Sequence, residues 1–552
     1  MSTRREFLQQ SIAGLGFLVF SQHAGLAPRS LSSVDSKIEL LLEEPLGTVS
    51  ANIYGHLTEH IGGVIYDGIW VGRDSRVPNV DGIRKDLIDE MKKIKAPVIR
   101  YPGGCFADSY DWRDGVGPSE RRPRRVNYWA DEESPGSPQN HKFEPNQFGT
   151  NEFVHFCKLI GSEPYLAGNV RSLPAEQFYQ WVDYCNAPPG STSLADLRAA
   201  SGFQEPFNVR FWGVGNESWG CGGDFTPEEY AVEFRRYTSL VPRFGQKLSL
   251  IASGPNADDW NWTRGFFEEV GRKGPGQLDR IYGWALHHYA WNLSRGRTQD
   301  WAKANGDALN FDAVDWYELL RQGDRMEGLI EGHWQAMGET DHDHKVKLVV
   351  DEWGPWYKSG SQATPGDFLE QMPTIRDAVF SGMTLDIFNR HPEKVAMANC
   401  AQLINCLNSL FLAHEDKFVV TPVGHIFGMY AGHHNGLGVR TQFSSPTIFY
   451  QRDGQPATFW GLEGSATLHD KALFLTVVNP HLTQPRETEI RLRGASTRAV
   501  RATVLEAADI HAHNTFDQRN NVVPQSKDVK ASYPFVFTFP AASVTALRVE
   551  LA

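Results

Sequence analysis

The chain has 552 residues, of which 41% are hydrophobic and 22% are charged, and its formal net charge is −12 at pH 7. This composition is typical of a folded protein with a core large enough for two domains or more. The acidic balance argues against a nucleic-acid partner, because neutralising phosphate groups requires clustered lysine and arginine side chains.

The first residues resemble a twin-arginine export signal. Arg4 and Arg5 precede an apolar run at residues 12–20, and small residues follow that run. At about 1.5 Å per residue the run is too short for a membrane-spanning helix, so we expect no membrane-embedded segment. We therefore predict an export signal at residues 1–30 and a periplasmic or secreted protein. A disordered cytoplasmic tail is the alternative interpretation.

Residues 51–435 alternate short apolar runs with amphipathic stretches, a pattern typical of βαβ units. The apolar runs predict strands at residues 52–59, 98–103, 164–169, 210–217, 248–254, 281–289, 347–352 and 395–402. The stretches between them predict helices; at residues 81–95, for example, Ile83, Leu87 and Met91 recur at helical spacing. Eight such units predict a (β/α)8 TIM barrel with its site at the carboxyl ends of the strands.

The last part of the chain predicts β structure alone. Over residues 436–552 helical spacing gives way to strict alternation, as where Ile490 and Leu492 alternate with charged neighbours. Turn-rich segments separate these runs, which is typical of a β-sandwich domain. A strand predicted within residues 31–50 is expected to join that sandwich. The predicted fold class is therefore α/β, a TIM barrel with a C-terminal β-sandwich.

The six cysteines show no metal-binding spacing and no Cys-x-x-Cys motif. Export would permit disulfides, but the sequence does not give their pairing. We expect most of the cysteines to be buried thiols, with Cys105 as the exception. We predict neither a metal nor an organic cofactor.

Two predicted strands end in glutamates, Glu217 after the fourth strand and Glu352 after the seventh. Hydrolysis of a glycosidic bond uses one carboxylic acid to protonate the leaving oxygen and one carboxylate near the anomeric carbon. The two strand ends could supply this pair from one barrel mouth. Acidic residues also end strands to form salt bridges, so the pair alone is only a hypothesis.

Further segments strengthen the hypothesis by their content and their order along the chain. They occupy residues 53–60, 100–108, 112–118, 148–153, 212–217, 350–354 and 397–402. Together they resemble the α-L-arabinofuranosidases of glycoside hydrolase family 51, over about residues 50–430. The resemblance implies that Glu217 is the general acid/base and Glu352 the nucleophile of a retaining mechanism. It also implies that Asn216 contacts the sugar 2-hydroxyl and Glu59 other furanose hydroxyls, where the alternatives are a strand-end cap and a salt bridge.

The resemblance assigns five more residues to the site. It implies that Arg100 lies beneath the site and pairs with a glutamate, and that Cys105 contacts the sugar; a structural ion pair and an inert thiol are the alternatives. His287 and Tyr289 match a His-x-Tyr motif at the end of the sixth strand, where the tyrosine would hydrogen-bond the nucleophile. Gln402 matches a polar ligand at the end of the eighth strand. Ordinary packing is the alternative for these three residues.

The resemblance implies an exo-acting enzyme that releases terminal arabinofuranosyl units from arabinan, arabinoxylan or related oligosaccharides, and a homo-oligomer. It fades at residues 130–144 and 290–310, loops that would border the leaving group; Trp129 and Trp291 could stack on a sugar there or simply pack. A β-xylosidase or endo-glucanase is the alternative among hydrolases. A non-catalytic carbohydrate-binding protein is the alternative from another class.

Overall fold

The computed structural model describes residues 34–129, 143–361, 363 and 368–552. The predicted export signal at residues 1–30 and most of the loop at residues 130–144 lie outside these ranges. Within them, no helix combines the length and the apolar character that crossing a membrane would require.

Eight parallel strands close into a barrel, in chain order and with each strand hydrogen-bonded to the next. They are Gly55–Leu57, Val98–Tyr101, Glu163–Gly168, Phe211–Val214, Ser249–Ala252, Gly283–Ala290, Lys347–Pro355 and Val395–Cys400. We number them first to eighth. The eighth strand pairs with the first, with Asn399 opposite Gly55, which closes the barrel. The predicted TIM barrel is confirmed.

The barrel interior is filled by side chains that alternate with outward-facing ones along each strand. One layer takes one residue from each of the second to eighth strands, namely Val98, Tyr165, Phe211, Ile251, Ala285, Val349 and Met397. Neighbouring residues such as Trp212, Trp284 and Leu348 belong instead to the large cluster that includes the surrounding helices. This packed interior forms the floor beneath the site at the carboxyl ends of the strands.

Helices follow the strands and cover the barrel. They are Lys85–Ile94, Thr150–Ile160, Ala175–Asn186, Ser193–Ala200, Pro227–Thr238, Trp260–Gly271, Trp301–Ala304, Ala313–Gly338, Ile375–Arg390 and Pro422–Tyr430. Lys85–Ile94 buries Leu87 and Met91 as its spacing predicts. Pro227–Thr238 begins at a capping box, in which the Thr226 side chain and Glu229 satisfy each other's backbone N–H groups.

The C-terminal domain contains a nine-stranded sheet that also takes in the first described strand. In spatial order its strands are Gln525–Val529, Thr497–Leu505, Ser543–Leu551, Ala472–Asn479, Glu463–His469, Leu437–Ser444, Ser36–Thr48, Arg486–Arg493 and Phe535–Phe539. Ser36–Thr48 runs antiparallel to Leu437–Ser444 and parallel to Arg486–Arg493. Ile490 and Leu492 are fully buried in a core separate from that of the barrel. The fold is thus a TIM barrel with a C-terminal β-sandwich.

Two-stranded ribbons complete the described strands. They pair Asn79–Val80 with Ile83–Arg84, Arg125–Val126 with Phe143–Glu144, Phe411–His414 with Lys417–Val420, and Ile448–Arg452 with Gln455–Phe459. The second ribbon contributes to the barrel mouth, because Glu144 Oε2 accepts a hydrogen bond from His60 Nδ1 at 2.8 Å. His60 follows the first barrel strand, so this contact fixes the ribbon beside the site.

Candidate active site

The two glutamates lie together at the carboxyl ends of the fourth and seventh strands. One oxygen of Glu217, one oxygen of Glu352 and a ring nitrogen of His287 all lie within 4.8 Å of one another. The backbone turns sharply after the fourth strand, with φ of +87° at Gly215 and +38° at Glu217. A positive φ at a residue other than glycine is strained, and such residues cluster at functional sites. Here it aims the Glu217 carboxyl across the barrel mouth.

Glu217 sits between a histidine and a disulfide. Nδ1 of His287 lies 2.9 Å from its Oε1, and the sulfurs of Cys221 and Cys105 lie 3.6 and 3.8 Å from its Oε2. Disulfide sulfurs carry no hydrogen, so the latter are van der Waals contacts. Burial lowers the pKa of His287, but the charge of Glu352 and the bond to Glu217 outweigh it and raise that pKa. One proton can therefore be held between Glu217 and His287.

Glu352 is held by cationic and hydroxyl donors. Arg100 Nη1 donates to its Oε1 at 2.7 Å, and the Tyr289 hydroxyl donates to its Oε2 at 2.7 Å. Burial raises the pKa of this carboxyl, but His287, Arg100 and the hydrogen bonds outweigh burial and leave the pKa below its ordinary value. The lowered pKa favours the ionised form of Glu352, which lies opposite the hydrogen-bonded pair of Glu217 and His287.

Replacing Tyr289 with phenylalanine tests the hydroxyl's part in that balance. The hydroxyl stabilises ionised Glu352, so its loss raises the pKa of Glu352 and a proton remains on the carboxyl to higher pH. We expect the acid limb of kcat/KM to move up by about one pH unit and kcat to fall roughly tenfold. Tyr54→Phe is the control, because its buried hydroxyl makes an equally short 2.7 Å bond to Asn389 away from Glu352. An acid limb unchanged in Tyr289→Phe would contradict this role.

Arg100 links Glu352 to a polar network inside the barrel. Its Nη2 donates to Asn216 Oδ1 at 2.6 Å, and its Nε lies 3.2 Å from Asp351 Oδ2. Asp351 also accepts hydrogen bonds from Tyr165 and Asn399, both at 2.8 Å. Sequence reasoning gave Asp351 no role, although it directly precedes Glu352. Asp351 and Glu352 share the Arg100 guanidinium, so Asp351 helps to hold that guanidinium in place beneath Glu352.

Asp108 is a second residue that sequence reasoning left without a role. It is fully buried, and its carboxylate accepts hydrogen bonds from the backbone N–H groups of Asn216 at 2.9 Å and Val170 at 2.7 Å. The loop after the second strand thereby fixes the ends of the third and fourth. The Asn216 amide side chain is left beside the glutamate pair, with its Oδ1 already engaged by Arg100.

Glu59 lies beside Glu352 on the first-strand side of the mouth. It accepts hydrogen bonds from Phe106 N–H at 3.0 Å, Trp129 Nε1 at 3.1 Å and Gln402 Nε2 at 3.0 Å. Burial, and then the charge of Glu352, raise the pKa of Glu59 to about 7. Glu59 and Gln402 therefore present polar atoms to one side of the space in front of Glu352.

Gly104 shows how closely these two carboxylates approach the backbone. A Cβ at this position would lie 2.9 Å from Glu352 Oε1 and 3.3 Å from Glu59 Oε2. Only a glycine leaves room for both oxygens, which explains why a glycine precedes Cys105 in this loop.

Cys105 forms a disulfide with Cys221. The expectation that most of the cysteines are buried thiols, with Cys105 as the exception, agrees with the structure. Cys221 is a second exception, because the fold brings two loops 116 residues apart into contact. Cys105 can no longer offer a thiol hydrogen to a sugar, so its contact with substrate remains a prediction for its backbone and sulfur only. The remaining cysteines, Cys157, Cys185, Cys400 and Cys406, are buried outside this bond.

We expect the disulfide to support both stability and activity, because it joins the loops after the second and fourth strands. Changing Cys105 and Cys221 to serine should lower the free energy of unfolding by about 2–5 kcal/mol. It should lower kcat/KM roughly tenfold, because Glu217 loses a fixed neighbour. Denaturant unfolding and steady-state assays measure both effects, with buried Cys157→Ser as the control. If a reductant breaks the disulfide and neither the free energy of unfolding nor kcat/KM changes, the disulfide supports neither stability nor activity.

Three groups of side chains among the described residues could in principle hold a metal ion. In the group of Glu217, His287 and Glu352, the guanidinium of Arg100 already neutralises Glu352. The group at Cys105 and Cys221 offers disulfide sulfurs, which are poor metal ligands compared with thiolates. The third contains Glu327, Glu331 and His391; Lys394 already contacts Glu331 and Arg390 already contacts Glu327. The donor sets therefore favour ion pairs over metal binding.

Two family models and several solved structures match most of the chain. Residues 90–306 match the family model "Alpha-L-arabinofuranosidase 1 domain", and residues 351–543 match "Alpha-L-arabinofuranosidase C-terminal domain". The crystal structure of the GH51 arabinofuranosidase from Xanthomonas axonopodis pv. citri is 34% identical, with a TM-score of 0.84 over 93% of this chain and 100% of that one. The chain belongs to the α-L-arabinofuranosidases of glycoside hydrolase family 51.

Two further relatives of this family 51 glycoside hydrolase span nearly its whole length. An intracellular exo-α-L-arabinofuranosidase from Bacteroides ovatus is 33% identical over 506 residues, covering 91% of this chain and 93% of the relative. The arabinose complex of the α-L-arabinofuranosidase from Thermotoga maritima is 29% identical, with a TM-score of 0.79 over 94% of this chain and 100% of that one. The resemblance drawn from the sequence motifs is therefore confirmed.

Proposed function

We propose that this family 51 enzyme is an exo-acting, retaining α-L-arabinofuranosidase. It would remove terminal non-reducing arabinofuranosyl units from arabinan, arabinoxylan and related oligosaccharides. The observation that carries the retaining mechanism is the approach of Glu217 and Glu352 oxygens to within 4.8 Å. Retaining glycosidases hold their two carboxyl groups about 5–5.5 Å apart, whereas inverting ones need roughly 6.5–9.5 Å to admit a water molecule.

In the first step the Glu352 carboxylate attacks the anomeric carbon of the arabinofuranosyl unit. The bond from that carbon to the leaving oxygen breaks, and Glu217 gives its proton to the leaving oxygen. The lowered pKa of Glu352 supports this role, because a nucleophile must be ionised at the working pH. The product of this step is an ester between the sugar and Glu352, together with a free leaving-group alcohol.

In the second step a water molecule takes the place of the leaving group. Glu217, now a carboxylate, accepts a proton from this water, and the resulting oxygen attacks the anomeric carbon. The ester bond to Glu352 breaks and restores the carboxylate. His287 lies at 2.9 Å from Glu217 and can share its proton in both steps. Two inversions at one carbon give net retention.

We infer that three polar side chains hold the furanose during these steps. Asn216 accepts a hydrogen bond from Arg100 through Oδ1. Its amide nitrogen, which also lies 3.8 Å from Cys221 Sγ, can donate a hydrogen bond to the 2-hydroxyl. Glu59 and Gln402 bond to each other at 3.0 Å and face the space in front of Glu352. The exo mode is supported by the Bacteroides ovatus relative, which bears that description in its name.

Product stereochemistry tests the proposal. The enzyme is given an aryl α-L-arabinofuranoside, and proton NMR follows the anomeric signal of the first product before it mutarotates. We expect α-L-arabinofuranose first; β-L-arabinofuranose first would exclude the retaining mechanism. Parallel assays with an aryl β-xyloside and a β-glucan should show much lower kcat/KM, and a preference for either would overturn the arabinofuranosidase assignment.

We also propose that the protein is exported and forms a homo-oligomer. Disulfides persist mainly in oxidising compartments, so the Cys105–Cys221 bond supports export. The Bacteroides ovatus relative is described as intracellular. The location of this protein therefore has to be measured directly. Replacing both Arg4 and Arg5 with lysine should keep the protein in the cytoplasm, which cell fractionation measures. Light scattering should give a molecular mass larger than that of one chain.

A further inference from the structure

An aromatic cavity of about 520 Å³ lies beside residues that contact the candidate active site. The described residues that line it include Tyr128, Trp129, Trp301, Trp356 and Phe368. Its volume lies within the range of small-molecule binding sites. A cavity walled by several flat rings suits a sugar ring, whose C–H faces pack against aromatic faces.

Both walls of this cavity connect directly to the site already described. On one wall Trp129 donates a hydrogen bond from Nε1 to Glu59 at 3.1 Å. On the other, the ring of Trp356 contacts Tyr289 edge-on at 5.0 Å, and Tyr289 holds Glu352. Through Trp129 and Trp356 the cavity therefore borders Glu59 and Tyr289, two residues of the candidate active site.

Trp301 contacts Trp356, which in turn contacts Tyr289. The centroids of the Trp301 and Trp356 rings are 5.0 Å apart and nearly perpendicular, and Trp291 supports Trp301 from another side at 4.9 Å. Trp301 nevertheless leaves 42% of its surface exposed. Two aromatic residues, Trp291 and Trp356, thus hold the Trp301 indole ring in place, and a large part of that ring remains exposed.

We propose that Trp301 is a specificity-determining residue that stacks on the second sugar of the leaving group. Trp129 and Trp356 border the position of the first sugar after the cleaved bond. One sugar unit is about as long as the 5.0 Å distance between the ring centroids of Trp356 and Trp301. The second sugar of an oligosaccharide leaving group therefore reaches Trp301. Lys358 and Ser359 on the same wall offer hydrogen-bond donors to its hydroxyls. The inference rests on the proposed function, and it names oligosaccharide chains, rather than single-sugar aglycones, as the preferred leaving groups.

The test compares leaving groups of different length on the full enzyme. Wild type, Trp301→Ala and Trp301→Phe are assayed with an aryl α-L-arabinofuranoside and with arabinofuranosyl-substituted xylobiose and xylotetraose. We expect Trp301→Ala to lose about tenfold in kcat/KM on the longest substrate, mainly through KM, and to match wild type on the aryl substrate. Trp301→Phe keeps a flat ring and should recover most of the loss. Tyr179→Ala is the control, because Tyr179 is 41% exposed on a helix outside the cavity.

The outcomes separate the two proposals. A wild-type enzyme inactive on every arabinofuranoside would refute the proposed function itself. An active wild type whose Trp301→Ala variant loses equally on short and long substrates would overturn the stacking role, because Trp301 would then act only by packing against Trp356. Equal kcat/KM of Trp301→Ala and wild type on the longest substrate would overturn it as well.

Discussion

Glu352→Ala is expected to lower kcat by roughly four to six orders of magnitude, the scale seen when a catalytic nucleophile is removed. The variant lacks the oxygen that bonds to the anomeric carbon, so the first step cannot occur by its normal route. Arg100 and Tyr289 remain and now face an empty space in place of a carboxylate. The fold should persist, because Glu352 contributes to the site and only little to the hydrophobic core.

Azide should partly restore activity to Glu352→Ala by occupying that space. It attacks the anomeric carbon from the side of the missing carboxylate, while Glu217 still protonates the leaving oxygen. The product is therefore the β-arabinofuranosyl azide, with inverted configuration. Glu318→Gln is a suitable control, because Glu318 is equally buried but lies on the helix Ala313–Gly338 away from the site. An azide product of retained configuration would place the nucleophile elsewhere.

Glu217→Ala is expected to have an effect that depends on the leaving group. Sugar alcohols depart poorly without a proton, so we expect a loss of about 10²–10⁴-fold in kcat/KM on oligosaccharides. Acidic phenols depart without help, so kcat/KM on an aryl substrate should fall much less. Steady-state rates on substrates whose leaving groups differ in pKa measure this dependence.

Azide distinguishes the two variants. In Glu217→Ala the ester to Glu352 still forms, and azide attacks it without the help of a base to give the α-azide of retained configuration. Opposite configurations from the two variants would assign the two roles independently. Equal losses of Glu217→Ala on all leaving groups would contradict its assignment as the acid.

The strand pattern was sufficient to predict the barrel, because parallel strands buried on both faces leave a strong sequence signal. It was less informative about strand ends. The predicted strand at residues 210–217 ends in the structure at Val214, because Gly215 adopts φ of +87° and the chain turns before Glu217. Hydrophobic periodicity does not encode such a turn. The rule that strand ends meet at one mouth still placed Glu217 and Glu352 together.

Contacts between distant loops were not predictable in the same way. The pairing of Cys105 with Cys221 depends on how the second and fourth strand loops approach each other, and no local pattern records this. Asp108 and Asp351 were missed because their partners are backbone N–H groups or side chains from other strands. Their position could have drawn attention to both aspartates, because Asp108 lies in the motif at residues 100–108 and Asp351 in the motif at residues 350–354. Only the folded barrel shows what they bind.

Trapping of the sugar on the enzyme shows which carboxylate is the nucleophile. An arabinofuranosyl inactivator with a good leaving group and a slow second step is incubated with the wild-type enzyme, and the digested protein is analysed by tandem mass spectrometry. We expect one arabinofuranosyl ester, on the carboxyl of Glu352, and none in Glu352→Ala. An adduct on Glu217 or Glu59, or turnover with no covalent adduct, would contradict this expectation.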